Sequence, residues 1–211
     1  SNMQFIFNES GMIAGKGKYF IQDRKLDLAM DITKLSLNDI RSFAPRELQK
    51  VYGTLESNST MSAYVKSPVS YNINSTLEIR DGKVEDLDLN TYLKPILESY
   101  KIPMDKNNKN LNLNSGFKSL NTKLVVDSKK IQIKSSKLLG NNNEYSFSTK
   151  GTLFLEPENQ SKLYSNLYVK EYSKKLSRIS TNKSFPILLE GRGMSVMPNI
   201  DYSLSKLSKR A

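Results

Sequence analysis

The sequence predicts a β-dominated α+β fold: a mostly antiparallel, meander-like sheet, apolar on one face, with two or three short helices. Three observations carry that expectation. Apolar and polar residues alternate in run after run, which is the period of a strand with one face buried and the other solvated. Turn-forming residues separate the runs: Asp81-Gly82, Gly140 followed by three asparagines, and Glu156-Pro157. Only a few stretches place their apolar residues at helical spacing instead.

In chain order, "KLDLAMDI" (25–32) sets Leu26, Leu28, Met30 and Ile32 on one side and Asp27, Ala29 and Asp31 on the other. "LNDIRSFAPRELQKVY" (37–52) carries Leu37, Ile40, Phe43, Leu48 and Val51 at roughly helical spacing. Pro45 interrupts it and suits the start of a second helical turn. "SYNINSTLEI" (70–79) alternates again through Tyr71, Ile73, Leu77 and Ile79. "DLNTYLKPILESYKIP" (88–103) aligns Leu89, Tyr92, Leu93, Ile96, Leu97 and Tyr100 on one helical face. It stops before Pro103, with Pro95 as a first-turn residue or a kink. A polar connector (104–112) follows and is where the single domain, residues 1–211, would subdivide if it does.

Leu111 and Leu113, Ile131 and Ile133, Tyr145 and Phe147, and Leu153 and Leu155 repeat the strand pattern. Residues 161–180 fit two readings. Tyr164, Tyr168, Tyr172 and Leu176 suit a helix, whereas Leu167 and Val169 suit a strand leading into a basic loop. In "FPILLEGRGMSVMPNIDYSLSKLSKRA" (185–211), Ile187 and Leu189 alternate with Leu188 and Glu190. That makes a strand, a Gly-Arg-Gly turn, an extended run with Pro198 and a basic tail.

Composition narrows the chemistry. The chain has 211 residues, enough for one sizeable core, and no cysteine or histidine. Thiol nucleophiles, Cys/His zinc sites and Ser-His or Cys-His dyads are therefore excluded within it. Glu85, Asp86 and Asp88 read as a solvated face rather than an acid/base pair, because alternation sends acids and leucines to opposite sides. "GKGK" (15–18) lacks the spacing and the Ser/Thr of a phosphate loop. No catalytic residue, metal site or cofactor is expected, and no apolar run is long enough to cross a membrane as a helix.

With 32 Lys and Arg against 21 Asp and Glu, the formal charge is +11, which favours anionic partners without choosing among them. Lys170, Lys174, Lys175, Arg178 and Lys183, interleaved with Tyr168 and Tyr172, suit a nucleic acid, lipid headgroups or plain solvent. The low arginine content and the lack of a nucleic-acid fold pattern make nucleic acid the weakest of these.

The order of the pieces resembles the C-terminal region of the AsmA family of bacterial envelope proteins, and more loosely TamB-like proteins. The likeness begins at "GKGKYFIQDRKLDLAMDITKLSLNDI" and runs through "YGTLESNSTM" and "STLEIRDGKVEDLDLNTYLKPIL", where Asp81, Gly82, Asp88 and Leu89 match. Phe117 and Leu120 match an "F-x-x-L" element, and Gly151 and Leu155 match a "G-x-x-x-L" strand. Pro186, Gly191, Pro198 and Asp201 match the closing element, which here has two glycines where the family has one. Residues 11–207 are covered.

The resemblance implies an elongated, curved sheet whose apolar concave face forms a groove, in a periplasmic protein anchored to the inner membrane. The anchor would lie upstream, and Ser1-Asn2 reads as the remnant of a cleaved tag. It also implies a non-enzymatic role in guiding phospholipid for outer-membrane biogenesis.

Physics meets that picture at one point: a one-sided apolar face must be covered by helices, by a second sheet or by a ligand. The expected groove residues are Leu26, Leu28, Met30, Ile32, Tyr71, Ile73, Leu77, Ile79, Leu111, Leu113, Ile131, Ile133, Tyr145, Phe147, Leu153, Leu155, Ile187 and Leu189. Lys170, Lys174, Lys175 and Arg178 are the expected headgroup contacts. The partner would be a phospholipid or other acyl-chain ligand. Alternatively the face is an ordinary closed core, and the open sheet edges dock other envelope proteins.

Overall fold

In the structure, a computed structural model, eleven strands form one sheet in sequence order, every neighbouring pair antiparallel. It describes residues 2–7, 11–43, 48–66, 68–85, 94–95, 97–98, 116–170, 172 and 183–207. The strands are β1 (Asn2–Phe7), β2 (Gly11–Phe20), β3 (Lys25–Ser36), β4 (Val51–Tyr64), β5 (Ser70–Val84), β6 (Phe117–Asp127), β7 (Lys130–Gly140), β8 (Tyr145–Phe154), β9 (Gln160–Val169), β10 (Phe185–Arg192) and β11 (Ser195–Asn199). The helices are α1 (Leu37–Ile40) and α2 (Ile200–Leu207), with helical turns at Arg41–Phe43, Leu48–Lys50 and Asn141–Asn143. Residues 94–95 and 97–98 are helical as well. The sheet is antiparallel throughout, as the alternation predicts, and it is curved and open.

Connection length gives the sheet two unlike ends. At one end the links β2–β3, β4–β5, β6–β7, β8–β9 and β10–β11 are hairpins of two to five residues. Loops that short hold no helix. At the other end the links after β3, β5 and β9 are much longer, and α2 follows β11 there. All the helical residues among those described lie at that second end.

The register explains what they cover. Residues paired across strands share a face, so rows can be traced from β3 to β10. The row nearest the helical end is Leu35–Leu55–Ile79–Leu120–Leu138–Phe147–Leu167–Phe185, apolar at every strand. Ile79, Leu138, Leu167 and Phe185 are buried in one cluster with Leu97, Phe117, Tyr145, Val169, Tyr172, Ile187 and Leu207. Leu97 lies in the helical piece between β5 and β6, and Leu207 ends α2, which packs on β10. Tyr172 meets Phe185 edge-on, with ring centroids 6.2 Å apart.

Two glycines make room for aromatic lids at this end. A Cβ on Gly82 would lie 2.3 Å from the Phe117 ring, and one on Gly140 2.3 Å from the Tyr145 ring. Each ring therefore fills the space that a side chain on the neighbouring strand would take. At the hairpin end, the two-residue turn of β10–β11 has Gly193 at its first position with φ +56°, a conformation that favours glycine in such turns.

The structure corrects one local expectation and decides others. Asp81 and Gly82 do not form a turn: they lie inside β5, where an irregularity opposite Gly53 takes up the residue with positive φ, Asp81 at +48°. The runs 144–151 and 152–157 are one strand, β8, because Tyr145, Phe147 and Leu153 keep the same parity; Leu155 lies beyond its end. Of the two readings of 161–180, the structure shows the strand over Gln160–Val169, while 171 and 173–182 lie outside the described residues. The segment 37–50 does form two helical turns, while Pro45 lies outside the described residues, as do residues 104–112 and most of 88–103.

Phe185→Ala removes a ring from the centre of the sealed cluster. It is expected to lower unfolding stability by about 3–5 kcal/mol. Met30→Ala, at a side chain 40% exposed, is expected to change it far less. Urea titration of both variants measures the difference.

Candidate functional site

Beyond the sealed row the same face changes character strand by strand. The next row is Ile32–Ser57–Leu77–Thr122–Ser136–Thr149–Ser165–Ile187, five of its eight residues hydroxylated. Ser59 and Ser75 adjoin it. These hydroxyls pair with one another: Thr122 with Ser136 at 2.9 Å, Thr149 with Ser165 at 3.0 Å, and Ser59 with Ser75 at 2.8 Å. Small, mutually bonded hydroxyls can sit on an apolar face without leaving a polar group unsatisfied.

Past that band the face turns apolar again. One row there is Leu28–Met61–Ile73–Val126–Ile131–Leu153, and Leu26, Met30, Leu124 and Ile133 stand beside it. None of these ten side chains reaches full burial, and Met30 is exposed. Among the described residues no helix packs over them: α1 touches β3 and β4 at the far end, and α2 touches β10. A cavity of about 420 Å³ lies against β2, β3 and β4, lined in part by Gly17, Leu28 and Met61. The Leu28 side chain reaches across Gly17, where a Cβ would lie 2.4 Å from Cδ2. The result is a trough, apolar and half-open, joined through a hydroxyl band to a closed core.

The expected groove residues divide between the two regions. Leu26, Leu28, Met30, Tyr71, Ile73, Ile131, Ile133 and Leu153 line the trough, and Ile32 and Leu77 stand in the hydroxyl row. Ile79, Tyr145 and Ile187 are sealed in the core, and Phe147 and Leu189 pack against it. Leu155 follows β8 and does not belong to the face as a strand residue. Leu111 and Leu113 lie outside the described residues, as do Lys174, Lys175 and Arg178. Lys170 stands exposed just after β9, at the helical end and away from the trough. Met61, Leu124 and Val126 were missed. Met61 sits inside a serine-rich run (57–62) that hides its parity, and 124–126 is three apolar residues in succession.

The opposite face carries the charge. Arg80 bridges Glu78 at 2.9 Å and Glu56 at 3.4 Å, and Lys25 bonds Asp27 at 2.9 Å. Ser62 also donates to Asp27, at 2.6 Å. Lys25 and Ser62 together hold the Asp27 carboxyl below its usual range. Glu85 sits with Lys83 at 3.5 Å and Arg41 at 3.8 Å beside the Tyr52 ring. Hydrogen bonding to Tyr52, then to Lys83, holds the Glu85 carboxyl below its usual range. Glu85 thus belongs to a solvated ion-pair group, while Asp86 and Asp88 lie outside the described residues. Among the described residues no group of three metal-ligating side chains occurs, and no helix is long and apolar enough to cross a membrane.

Fold and face together define a class: an open antiparallel meander with a half-covered apolar face. No protein-family model matches the chain, and no curated protein or solved structure matches it either.

Tyr145 marks the boundary of the sealed part. Its hydroxyl donates to the Gly116 carbonyl at 3.2 Å, and burial, helped by Glu144, pushes its pKa up to about 12. The unfolded value is about 10. The buried neutral phenol therefore stabilises the fold fully below about pH 10, and that contribution is lost as pH rises through about 12. Tyr145→Phe is expected to flatten the fall in stability between pH 10 and 12, as followed by circular dichroism across that range.

Proposed function

We propose that this chain binds acyl-chain lipid, phospholipid above all, along the trough, as a non-enzymatic part of a bacterial cell envelope. The observation that carries the reading is an apolar half-face that no described helix covers, beside a half that is sealed. An apolar surface of that kind in water marks a binding site for an apolar partner. A hydrocarbon chain suits a linear groove crossing several strands, and each buried methylene contributes about 0.8 kcal/mol. The ordered likeness to the AsmA C-terminal region supports the same function. It supports a periplasmic location with an inner-membrane anchor as well. That part of the reading rests on motif order alone.

A second reading has its own observation. β1 and β11 are the outer strands of an open sheet, so each offers an edge to which another chain can add a strand. In that reading the protein is an assembly module and the trough is covered by its partner.

Titration with a phospholipid bearing a fluorescent acyl chain separates the two. The chain is expected to take up the probe, and Ile73→Glu, in the middle of the trough, is expected to weaken uptake at least 10-fold. Thr76→Glu, on the opposite face of the same strand, is expected to leave it unchanged. Absence of uptake, together with absence of phospholipid in native mass spectra of protein purified from bacterial cells, would contradict lipid binding.

A further inference from the structure

We infer that the hairpin end of the sheet is a membrane-docking surface, on which the β2–β3 and β4–β5 tips enter the interface of an anionic bilayer. The inference stands on those tips and not on the trough. Most of the exposed large apolar side chains of the described residues gather at this end, and six of them sit on these two adjacent hairpins. Ile21 is 79% exposed and Val69 57%, with Tyr19, Phe20, Tyr64 and Val65 beside them. Two neighbouring loops have thus placed aromatic and aliphatic groups in water where turns ordinarily carry polar residues.

The tips act as one unit. The Val65 amide donates to the Arg24 carbonyl at 2.8 Å, tying the second hairpin to the first. Phe20, Lys25 and Tyr64 are paired across β2, β3 and β4 on the outer face, and the Lys25 ammonium stands 5.8 Å from the Phe20 ring centre. Tyr19 pairs with Leu26 on the inner face. Apolar side chains therefore project on both sides of the tips and beyond them. A protruding apolar wedge of this shape suits insertion among acyl chains better than contact with a flat protein surface.

Charge selects the kind of membrane. Lys18, Arg24, Lys25 and Lys66 surround the wedge, against Asp23 and Asp27. Lys25 and Asp27 pair with each other at 2.9 Å, which leaves Lys18, Arg24 and Lys66 against Asp23. Cations ringing exposed aromatic and aliphatic groups match a bilayer interface, with the apolar groups below the headgroups and the cations among anionic phosphates. The trough reaches this same end through Leu26, Ala63 and Tyr71, so a docked sheet presents its open half to the bilayer.

Vesicle co-sedimentation of the whole chain tests this, with phosphatidylcholine vesicles compared with vesicles of phosphatidylcholine and phosphatidylglycerol. Binding is expected to favour the anionic vesicles and to fall with salt. Arg24→Ala with Lys66→Ala is expected to weaken it about 30-fold, from two cations at about 1 kcal/mol each. Ile21→Asp with Val69→Asp is expected to abolish it while leaving the circular dichroism spectrum and acyl-probe uptake unchanged. Ile73→Glu is expected to lose probe uptake and keep vesicle binding, which separates failure of docking from failure of the trough. Equal binding by the tip variants and the wild type would overturn the inference. So would a self-associated wild type that the tip variants make monomeric without any vesicle binding.

Discussion

An open sheet with one apolar face gains by covering it, and among the described residues that cover comes from one end. The five hairpin links are too short to carry a helix, so cover comes from the links at the opposite end and from α2. Leu97, Tyr172 and Leu207 come from three separate segments, yet all descend on the same row of side chains. That row is apolar at every strand from β3 to β10, which makes a continuous core out of a single layer. The trough is the other consequence of the same asymmetry.

The hydroxyl band has a physical role in this arrangement. A purely apolar face would favour cover along its whole length. Hydroxyls paired within the sheet tolerate partial burial, but gain less from it than leucines do. The band therefore marks where burial ceases to be strongly favourable, between the packed aromatic lids over Gly82 and Gly140 and the half-open row through Ile73 and Ile131. On the outer face, ion pairs such as Arg80–Glu78 keep β4 and β5 soluble without adding a second layer.

Much of the fold was legible in the sequence because a half-buried strand writes its period directly. Leu26, Leu28, Met30 and Ile32 were assigned to one side by parity alone, and the register places them so. Residues 161–180 were ambiguous for an equally physical reason: tyrosines four residues apart satisfy both a two-residue period and a helical turn, and only Leu163, Leu167 and Val169 on the inner face decide for strand. Asp81-Gly82 carries turn chemistry but serves as a strand irregularity, since β5 continues to Val84. The division of the face could not be read at all. Ser57, Thr122, Ser136, Thr149 and Ser165 are ordinary solvated-looking residues along the chain, and become a band only when strands far apart in sequence are set in register. The tip residues Ile21 and Val69 were likewise invisible, because a single apolar residue in a turn has no period.

The central claim is that one continuous face is closed at one end and open at the other. The chain contains no cysteine, so thiols can be introduced one at a time. Single cysteines along the inner face of β5, at Tyr71, Ile73, Ser75, Leu77 and Ile79, sample the whole gradient. The account predicts that reaction with a water-soluble maleimide is fast at 71 and 73 and slower through 75 and 77. It should be slowest by orders of magnitude at 79. Uniformly slow reaction at all five positions would mean that the face is a closed core throughout and would contradict the account.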